Sequence, residues 1–140
     1  MEPLRTKVGV NIRAPWERVA DIYGDYQNWQ NLFPTIRGVT LLRETDGHVE
    51  LEIAHDEGRV PNTLTWLAPD RVRLDERKKR YDATFINSFE ARGDTTRYNV
   101  EAEVRLRGAY RLLRPFIGRL VRRRIEELVL APVKARAEST

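Results

Sequence analysis

Hydrophobic and polar residues alternate with period two through most of this chain, and the period lengthens to a helical one only near the two ends. Thr6–Ile12 places Val8, Val10 and Ile12 on one face and Lys7, Gly9 and Asn11 on the other, which predicts a half-buried strand. Ala14-Pro15 follows. Proline suits the first turn of a helix, and Glu17 sits where the helix dipole favours an acid. Trp16, Val19, Ala20 and Tyr23 recur at helical spacing up to Gly24, which ends the helix. A second short helix over about Tyr26 to Leu32 must stop before Pro34.

Six strands are predicted next: Ile36–Arg43, His48–His55, Arg59–Trp66, Arg71–Arg77, Ala83–Ala91 and Thr96–Leu106. Asp46-Gly47, Pro69-Asp70 and Gly93-Asp94 supply turns between them. After Gly108 the period becomes about 3.6, and Leu113, Ile117, Leu120, Val121 and Leu128 form one stripe of a long helix over about 110–137. Pro115 is tolerable only near the start of that helix, so Pro115 itself is a candidate start. Consecutive strands joined by hairpin turns make an antiparallel sheet, and only the long helix is large enough to cover its apolar face. The expected class is α+β: a curved antiparallel sheet of about seven strands gripping a C-terminal helix.

Composition narrows the function classes. The 140 residues suit one domain, expected to span 1–140. They are 41% hydrophobic and 33% charged, with a formal charge of +4. Acids are interleaved with bases except in 105–124, and no zinc-finger or RNP-type signature occurs, so nucleic-acid binding is not expected. The absence of Cys excludes disulfides and thiol chemistry. With only two His, no metal site is expected, and no P-loop or G-x-G-x-x-G points to a nucleotide, so no cofactor is expected. Ser88 and Ser139 are the only serines and lack a G-x-S-x-G context. No apolar run spans a bilayer and the N-terminus lacks a signal-peptide core, so the expected location is cytoplasmic.

Three stretches carry a resemblance: VNIRAPWERVADI (10–22), GDYQNWQNLFPTIRGVTLL (24–42) and the closing helix. Together they resemble the START-like, or SRPBCC, superfamily, and most of all its polyketide cyclase/dehydrase and coenzyme Q-binding branches. The resemblance implies a helix-grip fold with an internal cavity between sheet and long helix. It also implies that the two short helices close one end, with Tyr23, Tyr26, Trp29, Leu32 and Phe33 lining or gating the mouth. Ordinary core packing is the alternative for each of these aromatics.

Strand parity supplies the rest of the candidate site. Asn62, Leu64, Trp66, Phe85, Asn87, Phe89 and Tyr98 point inward, with Ile117, Leu120 and Val121 facing them from the helix. Inward polar residues need a reason, because a buried polar group without a partner is costly. His55 either sits half-exposed at the rim or serves as an imidazole acid/base. Glu76, if inward, has a raised pKa unless a cation pairs with it. On a 100° wheel Arg124 falls in the middle of the apolar arc, where it would pair with Glu76 or hold a ligand oxyanion; its alternative is to snorkel to the rim. These readings make Arg124, His55 and Glu76 the candidate catalytic set.

The functional expectation is a hydrophobic, aromatic or polyketide-like guest, handled by a cyclase or aromatase that uses aldol cyclisation and dehydration. The alternative is a non-catalytic carrier of a quinone or lipid. Weak membrane-surface contact through Arg111, Arg114, Arg119, Arg122 and Arg123 is a further possibility, and exposed strand edges allow a monomer or a homodimer.

Overall fold

The computed structural model describes residues 3–56 and 58–139. Strand β1 (Leu4–Ile12) leads into α1 (Trp16–Gly24), a 3-10 turn (Tyr26–Asn28) and α2 (Trp29–Leu32). Six strands follow: β2 (Ile36–Thr45), β3 (His48–His55), β4 (Gly58–Ala68), β5 (Arg71–Arg77), β6 (Tyr81–Arg92) and β7 (Thr95–Leu106). A second 3-10 turn (Gly108–Leu113) precedes α3 (Arg114–Ile125), a π-helical turn (Glu126–Leu130) and α4 (Ala131–Glu138). The strands form one antiparallel sheet in the order β1-β7-β6-β5-β4-β3-β2. Gly47 and Gly93 take positive φ, 73° and 62°, at two of the hairpin turns, as tight hairpins require. The expected curved sheet with two short helices and a covering C-terminal helix is the architecture observed.

The predicted alternation is followed in β1, β3, β5 and β7, while β2 is irregular between Ile36 and Gly38 and between Leu41 and Arg43, and β4 beyond Trp66. Val8, Val49, Leu51, Ile53, Leu64, Val72, Leu74, Phe89, Tyr98, Val100 and Val104 are all buried on the inner face. At the α1–α2 end that face is filled by aromatic rings. Tyr23 lies 5.5 Å from Trp29 and 5.9 Å from Phe89, Trp29 lies 5.7 Å from Phe33, and Phe89 lies 4.9 Å from Tyr98. The Trp29 indole N–H donates to the Tyr23 carbonyl at 2.8 Å. Trp29 is 1% exposed, and Tyr23 and Phe33 are buried with it. The aromatic-rich segment between α1 and β2 is therefore the plug of the core at this end, its rings locked to each other.

The C-terminal helix runs beside the edge strand β1. The carbonyls of Pro3, Lys7 and Asn11 accept from Arg114 (3.4 Å), Arg122 (3.2 Å) and Lys134 (2.9 Å). Eight strand residues and twenty helix residues span similar lengths, roughly 27 and 30 Å. Three cationic side chains thus satisfy the open edge that β1 presents on the side away from β7. Farther on, the Arg18 guanidinium of α1 donates to the carbonyls of Ala137 (2.7 Å) and Ser139 (2.8 Å), capping the last turn of α4.

The uniform helix expected over 110–137 is instead interrupted. Pro115 falls in the first turn of α3 as the sequence suggested, but Pro132 also sits inside the span. Its missing N–H cannot bond the Leu128 carbonyl, and the π turn lies immediately before it. The wider turn moves the buried stripe. It runs through Ile125, Leu130, Val133 and Ala137, a five-residue step followed by steps of three and four.

Two stability predictions follow from this packing. Trp29→Ala should cost about 3–5 kcal/mol in denaturant unfolding, the range for deleting a buried large aromatic; a loss under 1 kcal/mol would mean the plug is not packed as described. Glu138 accepts from the Arg13 backbone N–H (2.8 Å) and from Lys134 Nζ (2.6 Å), which hold its pKa down to about 2. A depressed carboxylate stabilises fully above its unfolded pKa, about 4.3, and loses that contribution as pH falls toward the folded value. Glu138→Gln should therefore lower the melting temperature at pH 7, and the gap should narrow between pH 5 and pH 3. A gap independent of pH would contradict a stabilising role for the ionised carboxylate held by the Arg13 N–H and Lys134.

Candidate functional site

The strand register arranges the inner face in rows. One row runs Leu51, Asn62, Glu76, Ala83, Val104, Leu4. The next runs Val49, Leu64, Leu74, Phe85, Ala102, Thr6. A third holds Trp66, Val72, Asn87, Val100 and Val8, and beyond it stand Phe89, Tyr98 and Val10. The last two rows meet the aromatic plug. The first two face the α3 side, where Leu4 lies next to Gly118 of that helix.

Polar groups occur at both levels. Deep in the plug, the Tyr98 hydroxyl donates to Asn87 Oδ1 at 2.5 Å, and Asn87 Nδ2 donates to the Tyr23 hydroxyl at 2.9 Å. Tyr23 accepts in this chain and so keeps its own proton to donate. Burial raises both phenols well above their usual pKa; the Glu76 carboxylate raises Tyr23 further, while the Asn87 hydrogen bond opposes. Both therefore remain protonated donors and do not serve as bases.

Glu76 and Asn62 stand opposite each other on β5 and β4. The Glu76 side chain is only 13% exposed, and burial raises its pKa against the opposing pull of Lys78, whose Nζ lies 3.9 Å away. Asn62 is buried, and its Nδ2 donates to the Val60 carbonyl at 3.2 Å. Its Oδ1 has no hydrogen-bond partner among the described residues. Phe85, diagonally across from Glu76 on β6, is only half-buried, whereas Val72, Asn87, Phe89, Tyr98 and Val100 at the plug end are buried. The half-buried ring of Phe85 thus lies near the Asn62–Glu76 pair.

The three candidate catalytic residues are not brought together. Glu76 faces inward as parity predicted. His55 ends β3 in the inward phase, half-buried, but four residues (about 13 Å) along the strand from Leu51, whose row holds Glu76. Arg124 is exposed, which corrects its expected place in the core stripe. The face of α3 that meets β1 carries Gly118, Val121 and Ile125, and one residue back from Ile125 is a 100° turn away from it. Leu120 is exposed for the same reason, so it does not line the interior. Among the other lining candidates, Tyr23, Trp29, Phe33, Asn62, Leu64, Asn87, Phe89 and Tyr98 are buried, and Tyr26, Leu32, Trp66, Phe85, Ile117 and Val121 are half-buried.

Two clefts flank α1 on the outside. One of about 560 Å³ is bordered by Arg18, Ile22, Leu32 and Arg136, the other of about 480 Å³ by Ala20, Gly24, Trp66 and Pro69. Neither is lined by the Asn62–Glu76 pair. Lys78 is the site residue that the strand reading missed, because the β5 pattern ends at Arg77. A signal existed: Lys78 follows Glu76 by two residues, the spacing that keeps two side chains on one face of a strand.

Several solved structures share this architecture at low sequence identity. A START superfamily protein from Mycobacterium smegmatis is 16% identical, with a TM-score of 0.77 over 96% of this chain and 97% of its own. The Zhui aromatase/cyclase from a Streptomyces species is also 16% identical, with a TM-score of 0.74 over 96% and 93%. The di-domain aromatase/cyclase of the steffimycin biosynthetic pathway is 10% identical, with a TM-score of 0.79 over 98% of this chain and 51% of that one. At such identities the likeness establishes the fold. Among curated protein sequences no match is found. Residues 4–138 match the family model described as polyketide cyclase/dehydrase and lipid transport, and the chain belongs to that family.

Proposed function

We propose that the protein binds an aromatic or polyketide-like molecule between its sheet and C-terminal helix and acts on it as a cyclase/aromatase-type protein, with Glu76 as the acid–base group. The observation that carries the reading is the Asn62–Glu76 pair: polar groups set near the half-buried Phe85 on an otherwise apolar face. A buried acceptor without a partner costs about 1–3 kcal/mol, which a guest hydroxyl donating to Asn62 Oδ1 would offset. Family membership and the aromatase/cyclase neighbours support the same class of guest.

A protonated Glu76 supplies what dehydration of an aldol adduct needs. Its proton goes to the departing hydroxyl, which leaves as water when the C–O bond breaks. The electron pair of the adjacent C–H bond forms the new double bond, and the carboxylate takes the proton released there, so Glu76 ends as it began. The second reading, a non-catalytic carrier of a quinone or lipid, is favoured by the exposure of Arg124, which leaves enolate charge without the cation expected for it.

Glu76→Gln separates the two readings. Turnover of a β-hydroxyketone polyketide mimic should fall at least 100-fold in kcat with KM changed less than threefold, and the wild-type rate should decline as pH rises through the raised pKa of Glu76. Equal turnover in the two proteins would remove Glu76 from the chemistry; tight binding with no turnover in either would select the carrier. The same variant tests burial. A carboxyl with a raised folded pKa costs stability progressively as pH climbs above its unfolded value of about 4.3. Glu76→Gln should accordingly melt higher than wild type at pH 8 and level with it near pH 4.

A further inference from the structure

The segment that resisted the sequence reading carries an unassigned surface. Leu112 is 81% exposed and Phe116 76%, with Leu113 and Leu120 about half exposed beside them on the 3-10 turn and α3. Four large apolar side chains within nine residues form a patch, not scattered surface residues. Within the segment the charge has one sign, since residues 105–124 contain eight Arg and no acid, although Arg105 pairs with Glu103 of β7 (3.2 Å) and Arg107 with Asp82 of β6. Arg122 and Arg123 pair with Glu126 (3.4 Å) and Glu127 (2.9 Å). Arg111, Arg119 and Arg124 are exposed and make no ion pair among the described residues.

A second basic element joins this patch in space. The β5–β6 turn reads Arg77, Lys78, Lys79, Arg80, and Arg77, Lys79 and Arg80 are exposed. The turn is tied to the segment after β7: the Arg107 N–H donates to the Arg80 carbonyl at 2.9 Å, and the Arg80 guanidinium stacks 5.1 Å from the Tyr110 ring. The result is an apolar segment with a second group of basic side chains adjoining its start.

We infer that this end of the molecule docks on an anionic lipid bilayer. Leu112, Leu113, Phe116 and Leu120 enter the interface while Arg111, Arg119, Arg124, Lys79 and Arg80 meet lipid phosphates and carboxylates. The charge decides the occupant: a second copy of this chain would bring the same positive surface against itself, whereas an anionic membrane complements it. Arg124, placed inside the protein by the helical wheel, acquires a role here at the border of the apolar segment. Docking in this pose sets the Asn62–Glu76 end of the grip on the membrane side. The docking claim stands on exposure and charge and does not rest on the proposed chemistry.

Sedimentation with vesicles tests it. Full-length protein should bind vesicles of phosphatidylcholine with 30% phosphatidylglycerol and not vesicles of phosphatidylcholine alone, and 0.5 M NaCl should release most of it. Phe116→Asn with Leu120→Asn should weaken binding at least tenfold. Arg119→Glu with Arg124→Glu should weaken it further, since each basic residue near such a surface is worth about fivefold. These side chains are exposed, so melting temperatures within 2 °C of wild type would show that the variants fold. Equal binding to neutral and anionic vesicles, no binding to either, or variants that bind like wild type would overturn the proposal. So would a dimer in solution that the Phe116 and Leu120 substitutions dissolve.

Discussion

The placement of the C-terminal helix against β1 governs the rest of this structure. An antiparallel sheet with one apolar face has two demands: that face needs a cover, and each edge strand carries unpaired carbonyls. The helix meets both demands at the β1 end, through Arg114, Arg122 and Lys134 on three edge carbonyls and through Val121, Ile125 and Val133 on the core. Tied to β1 in this way, it leaves the β4–β5 part of the inner face to other cover. The aromatic plug of Tyr23, Trp29, Phe33, Phe89 and Tyr98 supplies that cover at one end of the sheet. At the other end stand Asn62, Glu76 and the half-buried Phe85.

This division separates structural polar groups from functional candidates. The Tyr98–Asn87–Tyr23 chain is mutually satisfied inside the plug, and its phenols are held protonated by burial. Such a network gives the plug one geometry, since every member would lose a partner in another arrangement. Glu76 differs: its ion pair with Lys78 is long, and its cross-strand neighbour Asn62 has an acceptor to spare. The polar groups best placed to meet a guest are those the fold has left incompletely used.

The strands were legible because a sheet with one buried face writes its burial into a period of two, and a short turn cannot shift the phase of the next strand far. Inward placement of Asn62, Glu76 and Asn87 followed from that alternation alone. The helix was legible in extent but not in orientation. Apolar residues occupy a wide arc of α3, and nothing local says which part of the arc faces the sheet. Contacts distant in sequence, such as Arg122 to Lys7, fix its rotation, and the π turn before Pro132 then displaces the stripe. The wheel therefore put Arg124 and Leu120 inside, and both are exposed. Trp29 and Phe33 posed a different problem: an aromatic run looks the same in sequence whether it seals a core or gates a cavity.

The central claim is that a guest lodges beside Asn62 and Glu76, and methyl-resolved NMR tests it most directly. Titration of methyl-labelled protein with 2-naphthol, an apolar aromatic bearing one hydroxyl, should shift the methyl signals of Leu51, Leu74 and Ala83. The methyl signals of Ile22 and Leu32, which border an outer cleft, should stay in place. Shifts confined to Ile22 and Leu32, or no shifts at millimolar 2-naphthol, would contradict the account.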